Sequence, residues 1–501
     1  MTQIDQLIEE LHKEKCPELN DLQFSIYRKI LKKFIYNEEK GICLITGSAG
    51  TGKTYAVNKA LEYIMDRVSE SKNDTIIISA PTNQAVNNIF LLLTPELMEL
   101  KKSRKYIQYK TLHSSLGYEE VIDGYGNLSF KPSEEKVFEV EERLRKLRLL
   151  IVDEGSMVNK EMYNILIQNF KKYKFSIFFV GDPYQLPPIK EAHSLVFDKD
   201  EIKKLGKIHE TIILTEIIRQ RAGHPILDIT HHYTHNTTNE DINLLHLLKE
   251  AKSVTLDNAG ILNLKNNNKK DADLQGMVDI LEQYYKADEY TNKPFHIKTI
   301  AYTNNCVDTF NDLIRGIVYG EEANKGLVIG EKLILNSPVV IDKHSKKMLH
   351  VNQEIVVTDY DESILDINIG NIKFSLKYYD TEISYQDLFM TNYARIKLIH
   401  EDSKSVMEAK LDKLKKQALA HPPGGFYAKK AWVEYYTLRD KFFTSTKYAY
   451  CVTTHKAQGS TYDNIILILN DLSRDRNPIE RNMLTYTAMT RAKFNLILIN
   501  N

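Results

Sequence analysis

A glycine-rich loop, Gly47-Ser48-Ala49-Gly50-Thr51-Gly52-Lys53-Thr54, follows the apolar run Ile42-Cys43-Leu44-Ile45 and opens a stretch of helical character. G-x-x-x-x-G-K-T between a strand and a helix is the setting in which backbone N–H groups wrap phosphate oxygens at a helix N-terminus. The pattern fixes the opening unit of the fold as strand, loop, helix. The unit repeats from Thr75-Ile76-Ile77-Ile78. Two further short runs, Leu149-Leu150-Ile151-Val152 and Ile177-Phe178-Phe179-Val180, end in acidic or glycine-containing turns. Short β-branched strands alternating with helices predict a parallel α/β sheet, complete by about residue 220.

At 501 residues the chain is longer than one hydrophobic core organises, so several domains are expected. Tyr118 to Val140 reads as two strands about the turn Asp123-Gly124-Tyr125-Gly126-Asn127, with a charged helix from about Ser133 to Lys146: a hairpin inserted into the first core over 113–146. Asn263 to Ala272 has the polarity of a solvated loop. A second α/β core resumes at Ile297-Lys298-Thr299-Ile300-Ala301-Tyr302 and is interrupted over 330–444 by a β-rich and then helical insertion. Within it, Ser403 to Ala420 and Ala428 to Phe443 read as helices reversed by Pro422-Pro423-Gly424-Gly425. Tyr448 to Thr453 and Asn464 to Leu469 return to the second core as strands. The expected units are 1–220, 221–329 joined to 445–501, and the insertion 330–444.

Basic and acidic residues balance at 67 each, which excludes a uniformly basic nucleic-acid coat and leaves room for a local groove. The start of the chain, with Glu9, Glu10 and Glu14 among Leu and Ile, is unlike a signal peptide, and no apolar run is long enough to span a bilayer. A soluble, intracellular protein without a membrane partner is expected. Cys16, Cys43, Cys306 and Cys451 are widely separated, so no zinc or iron-sulfur site is indicated. Asp228, His231, His232 and His235 have helical spacing but lack complementary ligands; a solvated helix is the expectation, with no transition metal.

The loop by itself predicts a nucleotide-phosphate site with Mg2+, of the kind shared by kinases, GTPases and motors, and the blocks that follow make the nucleotide ATP. Lys53 is placed to reach the β- and γ-phosphates and Thr54 to hold the magnesium, with Gly47 to Gly52 as the cradle. Asp153-Glu154 ends an apolar strand. Alone, such a pair is usually a solvated strand end; after a phosphate loop it places Asp153 at the magnesium and Glu154 as general base. Gly181-Asp182-Pro183-Tyr184-Gln185-Leu186-Pro187-Pro188 puts the Gln185 amide on a rigid turn, where it could sense the γ-phosphate; a plain proline-braced turn is the alternative. Arg219 and Arg491 are the candidate cations for charge developing on the transferred phosphoryl group.

In order and spacing these blocks resemble superfamily 1 helicases, most closely the Dda-type phage and RecD-like bacterial enzymes, over most of the chain. Gln23 looks like the family's adenine-reading glutamine, Asp153 to Met157 like its DExx box, and Gly181 to Pro188 like its GDxxQLPP block. His455-Lys456-Ala457-Gln458-Gly459-Ser460 is similar to the HKxQG motif, with Gln458 and Gly459 near the γ-phosphate, and Thr485 to Lys493 to the last motif, with Arg491 as a second arginine finger. Tyr302 resembles an adenine-stacking tyrosine; ordinary core packing is its alternative. The resemblance implies two RecA-like cores with ATP between them, a pin hairpin, and an SH3-like module carrying a helical tower.

Pro81, Thr82, Asn83, Thr111 and His113 resemble strand-contacting blocks, and Thr453, Thr454 and His455 complete the candidate nucleic-acid residues. Hydroxyls and amides suit phosphate contacts that do not read sequence. Tyr125 at the hairpin turn resembles the wedge that splits a duplex, although an exposed turn tyrosine can be incidental. The expected activity is ATP-dependent translocation on single-stranded DNA with unwinding of tailed duplex, 5′ to 3′ by resemblance alone. The partners expected are DNA and, beyond it, single-strand-binding or replication proteins. A monomer in the cytoplasm of a bacterial or phage-infected cell is expected. An RNA helicase and a nucleotide-switched loading module are the alternatives.

Overall fold

The computed structural model describes residues 9 and 16–500 apart from 37–38, 69–73, 84, 87–88, 90–92, 94–98, 100–102, 123–127, 134–135, 217–224, 236–242, 257–258, 265–269, 294, 343–346, 371, 388–389 and 423–424. Helix α1 (Asp21–Phe34) starts with a reciprocal capping box in which Asn20 accepts from the Gln23 N–H and the Gln23 side chain accepts from the Asn20 N–H. The apolar run β1 (Ile42–Gly47) is buried throughout and runs through the phosphate loop into α2 (Lys53–Arg67). β2 (Thr75–Ala80), β3 (Ile107–Thr111), β6 (Leu147–Val152), β7 (Ser176–Gly181) and β8 (His209–Leu214) complete a sheet of order β3-β2-β6-β7-β1-β8, parallel at every pairing. Purely parallel sheets bury both faces, and apolar clusters cover each side: Ile26, Leu61 and Ile78 on one, Leu44, Leu150 and Phe179 on the other. This order sets the C-terminal ends of β1, β7 and β6 side by side. The loop, Asp153-Glu154 and the turn after Gly181 therefore share one edge.

Between β3 and β6, the strands β4 (Tyr118–Ile122) and β5 (Leu128–Pro132) pair as an antiparallel hairpin, followed by α3 (Val137–Lys146). The helix begins four residues later than the sequence suggests, because the Ser133 N–H continues the hairpin by donating to Gly117 O. The histidine-rich segment forms α4 (Pro225–His235), with His231 and His232 exposed and Tyr233 buried. Among the described residues no cluster of metal-ligating side chains occurs, and no helix is long and apolar enough to cross a membrane.

A second sheet joins β9 (Val254–Leu256), β10 (Ala259–Leu264), β11 (Ile297–Ala301), β19 (Cys451–Thr453), β20 (Tyr462–Ile468) and β21 (Ala492–Ile499) in the order β19-β11-β20-β21-β10-β9. Asn263, expected in a solvated loop, instead lies in β10, where its amide donates to Leu248 O, Lys249 O and Ala251 O and closes the end of a helix. α5 (Asn304–Tyr319) and the last helix, α8 (Pro478–Met489), pack on this sheet.

The second core is interrupted by an antiparallel sheet of order β17-β16-β15-β12-β18, comprising β12 (Lys332–Leu335), β15 (Glu354–Ile369), β16 (Ile372–Asp387), β17 (Met390–Ile399) and β18 (Thr446–Tyr448), with a small pair β13 (Val339–Asp342) and β14 (Lys347–Leu349). Helices α6 (Glu401–Leu419) and α7 (Phe426–Tyr436) form a hairpin against it, and α7 ends in a wider turn over Thr437–Lys441. The strand expected over Tyr448 to Thr453 is split: β18 pairs in the inserted sheet and β19 in the core, with buried Ala449 and Tyr450 at the crossing.

Buried charges pin the insertion to the core. Lys298 of β11 donates to the Glu354 carboxylate and to Ala449 O, and Arg315 of α5 reaches Glu331, Ala323 O and Gly326 O. Removing one partner of a buried pair leaves an uncompensated charge, at a cost of roughly 3–5 kcal/mol. Because Glu354 stays partly exposed, Lys298→Met should cost about 2 kcal/mol, read as a lower urea midpoint with β12 and β15 exchanging amide hydrogens faster; an unchanged midpoint and exchange pattern would show that this pair does not anchor the module.

Candidate nucleotide site and nucleic-acid interface

Gly50 (φ 84°) and Gly52 (φ 78°) take left-handed backbone conformations that only glycine adopts at no cost, and these turn the chain from β1 into α2. Gly47 is required for a different reason: a methyl there would lie 2.6 Å from Leu214 O of the neighbouring β8. Lys53 Nζ donates to Gly47 O at 2.8 Å and Ser48 O at 2.9 Å, so its ammonium lies across the mouth of the loop. Thr51 Oγ1 donates to Ser48 O at 3.0 Å, and buried Gln23 donates from Nε2 to Thr51 O at 3.3 Å. The capping box that starts α1 thus also brings Gln23 to the loop.

Asp153 and Glu154 follow β6. Thr54 Oγ1 donates to Asp153 Oδ2 at 3.0 Å, while Asp153 Oδ1 accepts the Glu154 N–H at 2.8 Å. Glu154 has φ 52° and ψ 46°, a conformation unusual for a residue with a side chain and one that turns its carboxylate out of the strand line. Burial, and then the charge of Asp153, pushes Glu154 up to about 7, with Arg491 and Lys53 opposing and Asp182 adding to the rise. A carboxylate so raised is a stronger base than a solvated one.

The second core reaches the same edge. Gln458 Nε2 donates to Leu186 O at 3.1 Å and to Ser156 Oγ at 3.3 Å; Leu186 N–H donates to Thr487 Oγ1 at 3.0 Å. Gly459 (φ 80°) lies so close that a methyl on it would sit 3.4 Å from Ala85 Cβ and 3.8 Å from Glu154 Oε1. Arg491 is buried and gives its N–H groups to Thr487 O, Ser460 O and Thr490 Oγ1, all in core 2, while its charge still acts on Glu154. Gln185 is buried too, with Nε2 donating to Asp182 Oδ2 at 3.3 Å. Lys53, Thr54, Asp153, Glu154, Gln185, Gln458, Gly459 and Arg491 are therefore brought together. Tyr302 follows β11, where its backbone N–H donates to Asp471 Oδ2, and burial followed by the carboxylates of Asp475 and Glu480 raises the pKa of its phenol. Arg219 and Tyr125 lie outside the described residues.

The site includes residues that sequence reasoning did not single out. Tyr486, Thr487 and Asp182 all lie inside recognised blocks, yet their side chains form the junction. Only a buried acid in a turn and an aromatic five residues before Arg491 hinted at it.

Of the strand-contacting candidates, Thr82 Oγ1 caps the segment after β2 by accepting the Ala85 N–H, Thr111 Oγ1 accepts the Ser114 N–H, and Thr453 Oγ1 accepts the Lys456 N–H. Pro81 and Asn83 flank the first cap, half-buried. His113 stacks on Phe130 of the hairpin, ring centroids 3.6 Å apart, and burial lowers its pKa. His455 is half-buried and likewise lowered by burial, with Asp475 opposing. Thr454 departs from expectation: it is fully buried and donates to Ala301 O, so it braces β11 rather than facing a strand.

Two sheets, the first wholly parallel and the second parallel but for its edge strand β9, with a phosphate loop on the first and polar side chains of the second core closing over the same edge, define a two-core ATP-hydrolysing enzyme. Sequence comparison agrees. A family model described as an AAA domain matches residues 33–191, and one described as a UvrD-like helicase C-terminal domain matches 448–499. The chain is 22% identical over 489 residues to the ATP-dependent DNA helicase dda of Enterobacteria phage T4, covering 95% of this chain and 97% of that one. It is 23% identical over 500 residues to the uncharacterized protein R530 of Acanthamoeba polyphaga mimivirus (92% and 96% covered), and 23% identical over 509 to the RecBCD subunit RecD of Buchnera aphidicola subsp. Schizaphis graminum (96% and 74%). Among solved structures, the Pif1 helicase of Candida albicans matches with TM-score 0.49 and 16% identity, covering 96% and 94%. The chain is an ATP-dependent helicase whose two matched segments and relatives are similar to superfamily 1. Within that superfamily, the chain is similar to the Dda and RecD enzymes.

Gly47→Ala gives a direct check of the loop geometry. The forced contact with Leu214 O should weaken ATP binding about tenfold or more, since an overpacked site costs roughly 1–3 kcal/mol; titration with a fluorescent ATP analogue reads this, and wild-type affinity would show that the loop does not lie against β8 as described.

Proposed function

We propose that this protein translocates on single-stranded DNA and unwinds duplex DNA ahead of it, 5′ to 3′, in replication, recombination or repair. The observation that carries the reading is that Gln458, Tyr486 and Thr487 of the second core hydrogen-bond directly to the loops of the first that hold Lys53, Glu154 and Gln185. A change at the phosphates is thereby felt across the cleft between the cores, which is what stepping along a strand requires. The name of the phage relative, an ATP-dependent DNA helicase, supports DNA as the strand. The capped, hydroxyl-bearing turns at Thr82, Thr111 and Thr453 suit phosphate contacts that are indifferent to base identity.

In this mechanism the loop amides and Lys53 bind the triphosphate, and Gln23 stands on the adenine side. The Thr54 hydroxyl and the Asp153 carboxylate, 3.0 Å apart, are hard oxygen donors of the kind that hold Mg2+ together with phosphate oxygens. When bound, the ion neutralises charge on the phosphates. Glu154 takes the proton of the attacking water, held to that task by the left-handed turn at its own backbone. Arg491 adds positive charge behind it, and Arg219 supplies a second cation. Tyr125 acts as the wedge and His113 on Phe130 as a stacking surface for a base. The antiparallel insertion serves as an SH3-like module, and α6 with α7 as the tower that braces the pin. The enzyme works as a monomer in the cytoplasm.

Glu154→Gln should bind ATP with near wild-type affinity while strand-stimulated hydrolysis falls by about 100-fold or more, the contribution expected of a general base; normal turnover would remove Glu154 from that role. Parallel displacement assays on 5′-tailed and 3′-tailed DNA and on matched RNA decide the strand and direction. Displacement of only the 5′-tailed DNA duplex is expected. Activity confined to RNA, or robust ATPase without displacement on any substrate, would sink the proposal in favour of an RNA helicase or a loading module.

A further inference from the structure

Tyr486 lies in α8 of the second core, fully buried, with its hydroxyl between two groups of the first core. It accepts the Ala49 N–H of the phosphate loop at 3.0 Å and donates to Asp182 Oδ2 at 2.8 Å. Asp182 is itself buried and also accepts the Tyr184 N–H and the Gln185 amide. One hydroxyl thus links the third residue of the loop to the carboxylate that holds Gln185. The ring packs against Tyr233 of α4, centroids 5.4 Å apart, and against Tyr184 at 6.1 Å, so its direction is fixed by contacts that do not involve the hydroxyl. Gln185 Oε1, buried and unpartnered, is the free end of this chain of bonds.

We infer that Tyr486 is a positioning residue through which the second core sets the phosphate loop and the Gln185 amide for ATP. The inference rests on the reading of the chain as a two-core motor, and it assigns to one atom the contact that couples the cores. A tyrosine used only for packing would need no partner on the loop. Here both hydrogen-bonding capacities of the phenol are spent on the first core, one on an amide of the cradle and one on the carboxylate that holds Gln185. The backbone amide cannot be mutated away, but the hydroxyl can.

Tyr486→Phe removes the oxygen and keeps the ring. The expected result is a KM for ATP raised about tenfold, the change that loss of a hydrogen bond to a charged group brings, together with a several-fold smaller ratio of strand-stimulated to unstimulated ATPase. The thermal midpoint should move by no more than a few degrees. Tyr233→Phe, at the same aromatic cluster but without a bond to the loop, should keep the wild-type KM. A KM and a stimulation ratio within twofold of wild type for Tyr486→Phe would overturn the inference, as would an equal rise in KM for Tyr233→Phe. If Tyr486→Phe is unstable, Asp182→Asn, which keeps the volume but weakens the acceptor, reads the same bond: the inference requires its KM also to rise, and a wild-type KM overturns it. These readouts need ATP hydrolysis alone. A wild-type enzyme that hydrolyses ATP but displaces no strand would defeat the helicase proposal while leaving the Tyr486 test intact.

Discussion

The cleft between the two cores is lined by buried polar groups, and each must find a partner across it or forfeit its hydration for nothing. Asp182 and the backbone of Leu186 meet that demand with Tyr486, Gln458 and Thr487, and Asp182 in turn holds the Gln185 amide. This requirement fixes the relation of the two sheets more tightly than apolar contact does, since hydrophobic packing is non-directional and a hydrogen bond is not. It also ties the proline-rich turn 181–188 to the second core.

The parts of the fold governed by local pattern were legible in the sequence. The strands around the phosphate loop are short β-branched runs buried on both faces, and the hairpin and the helical pair announce themselves by their turns. Where two sheets share a chain, pattern failed: Tyr448 to Thr453 reads as one strand because its apolar run is continuous, yet the chain changes sheets at Ala449 and Tyr450. Asn263 was hidden for a similar reason. Its neighbours are polar, but its amide closes three carbonyls at the end of the helix 12 to 15 residues before it, a contact no local pattern shows. In the site, Lys53, Thr54, Asp153 and Glu154 could be read from spacing, because chemistry dictates the residues that flank a phosphate. Tyr486 could not, since its partners lie 437 and 304 residues away and no periodicity encodes such a pairing. Nor could Thr454, whose inward direction depends on the packing of β11.

The balanced composition also takes on a physical sense. Equal numbers of acids and bases permit charges to be used as fasteners, and Lys298 with Glu354 and Arg315 with Glu331 fasten the inserted sheet to the second core. Both cations stand on elements of that core, β11 and α5, while both acids stand at the start of the insertion. These two pairs tie the inserted sheet to the core that carries it.

The same reasoning sets the energetic problem that nucleotide must solve. Opening the cleft exposes Asp182, the Leu186 backbone and Gln458, which regain water as they lose one another, so the net cost per bond is small, about 0.5–1.5 kcal/mol. Several such bonds together are comparable with the differential affinity a ligand needs to move a two-state equilibrium, about 5.5 kcal/mol for a full reversal. The junction is thus strong enough to hold the cores in register and weak enough for binding at the phosphate loop to rearrange. A purely apolar interface of the same extent would hold the cores without a directional contact to the loop, whereas the Tyr486 hydroxyl of the second core touches both the phosphate loop and the turn 181–188.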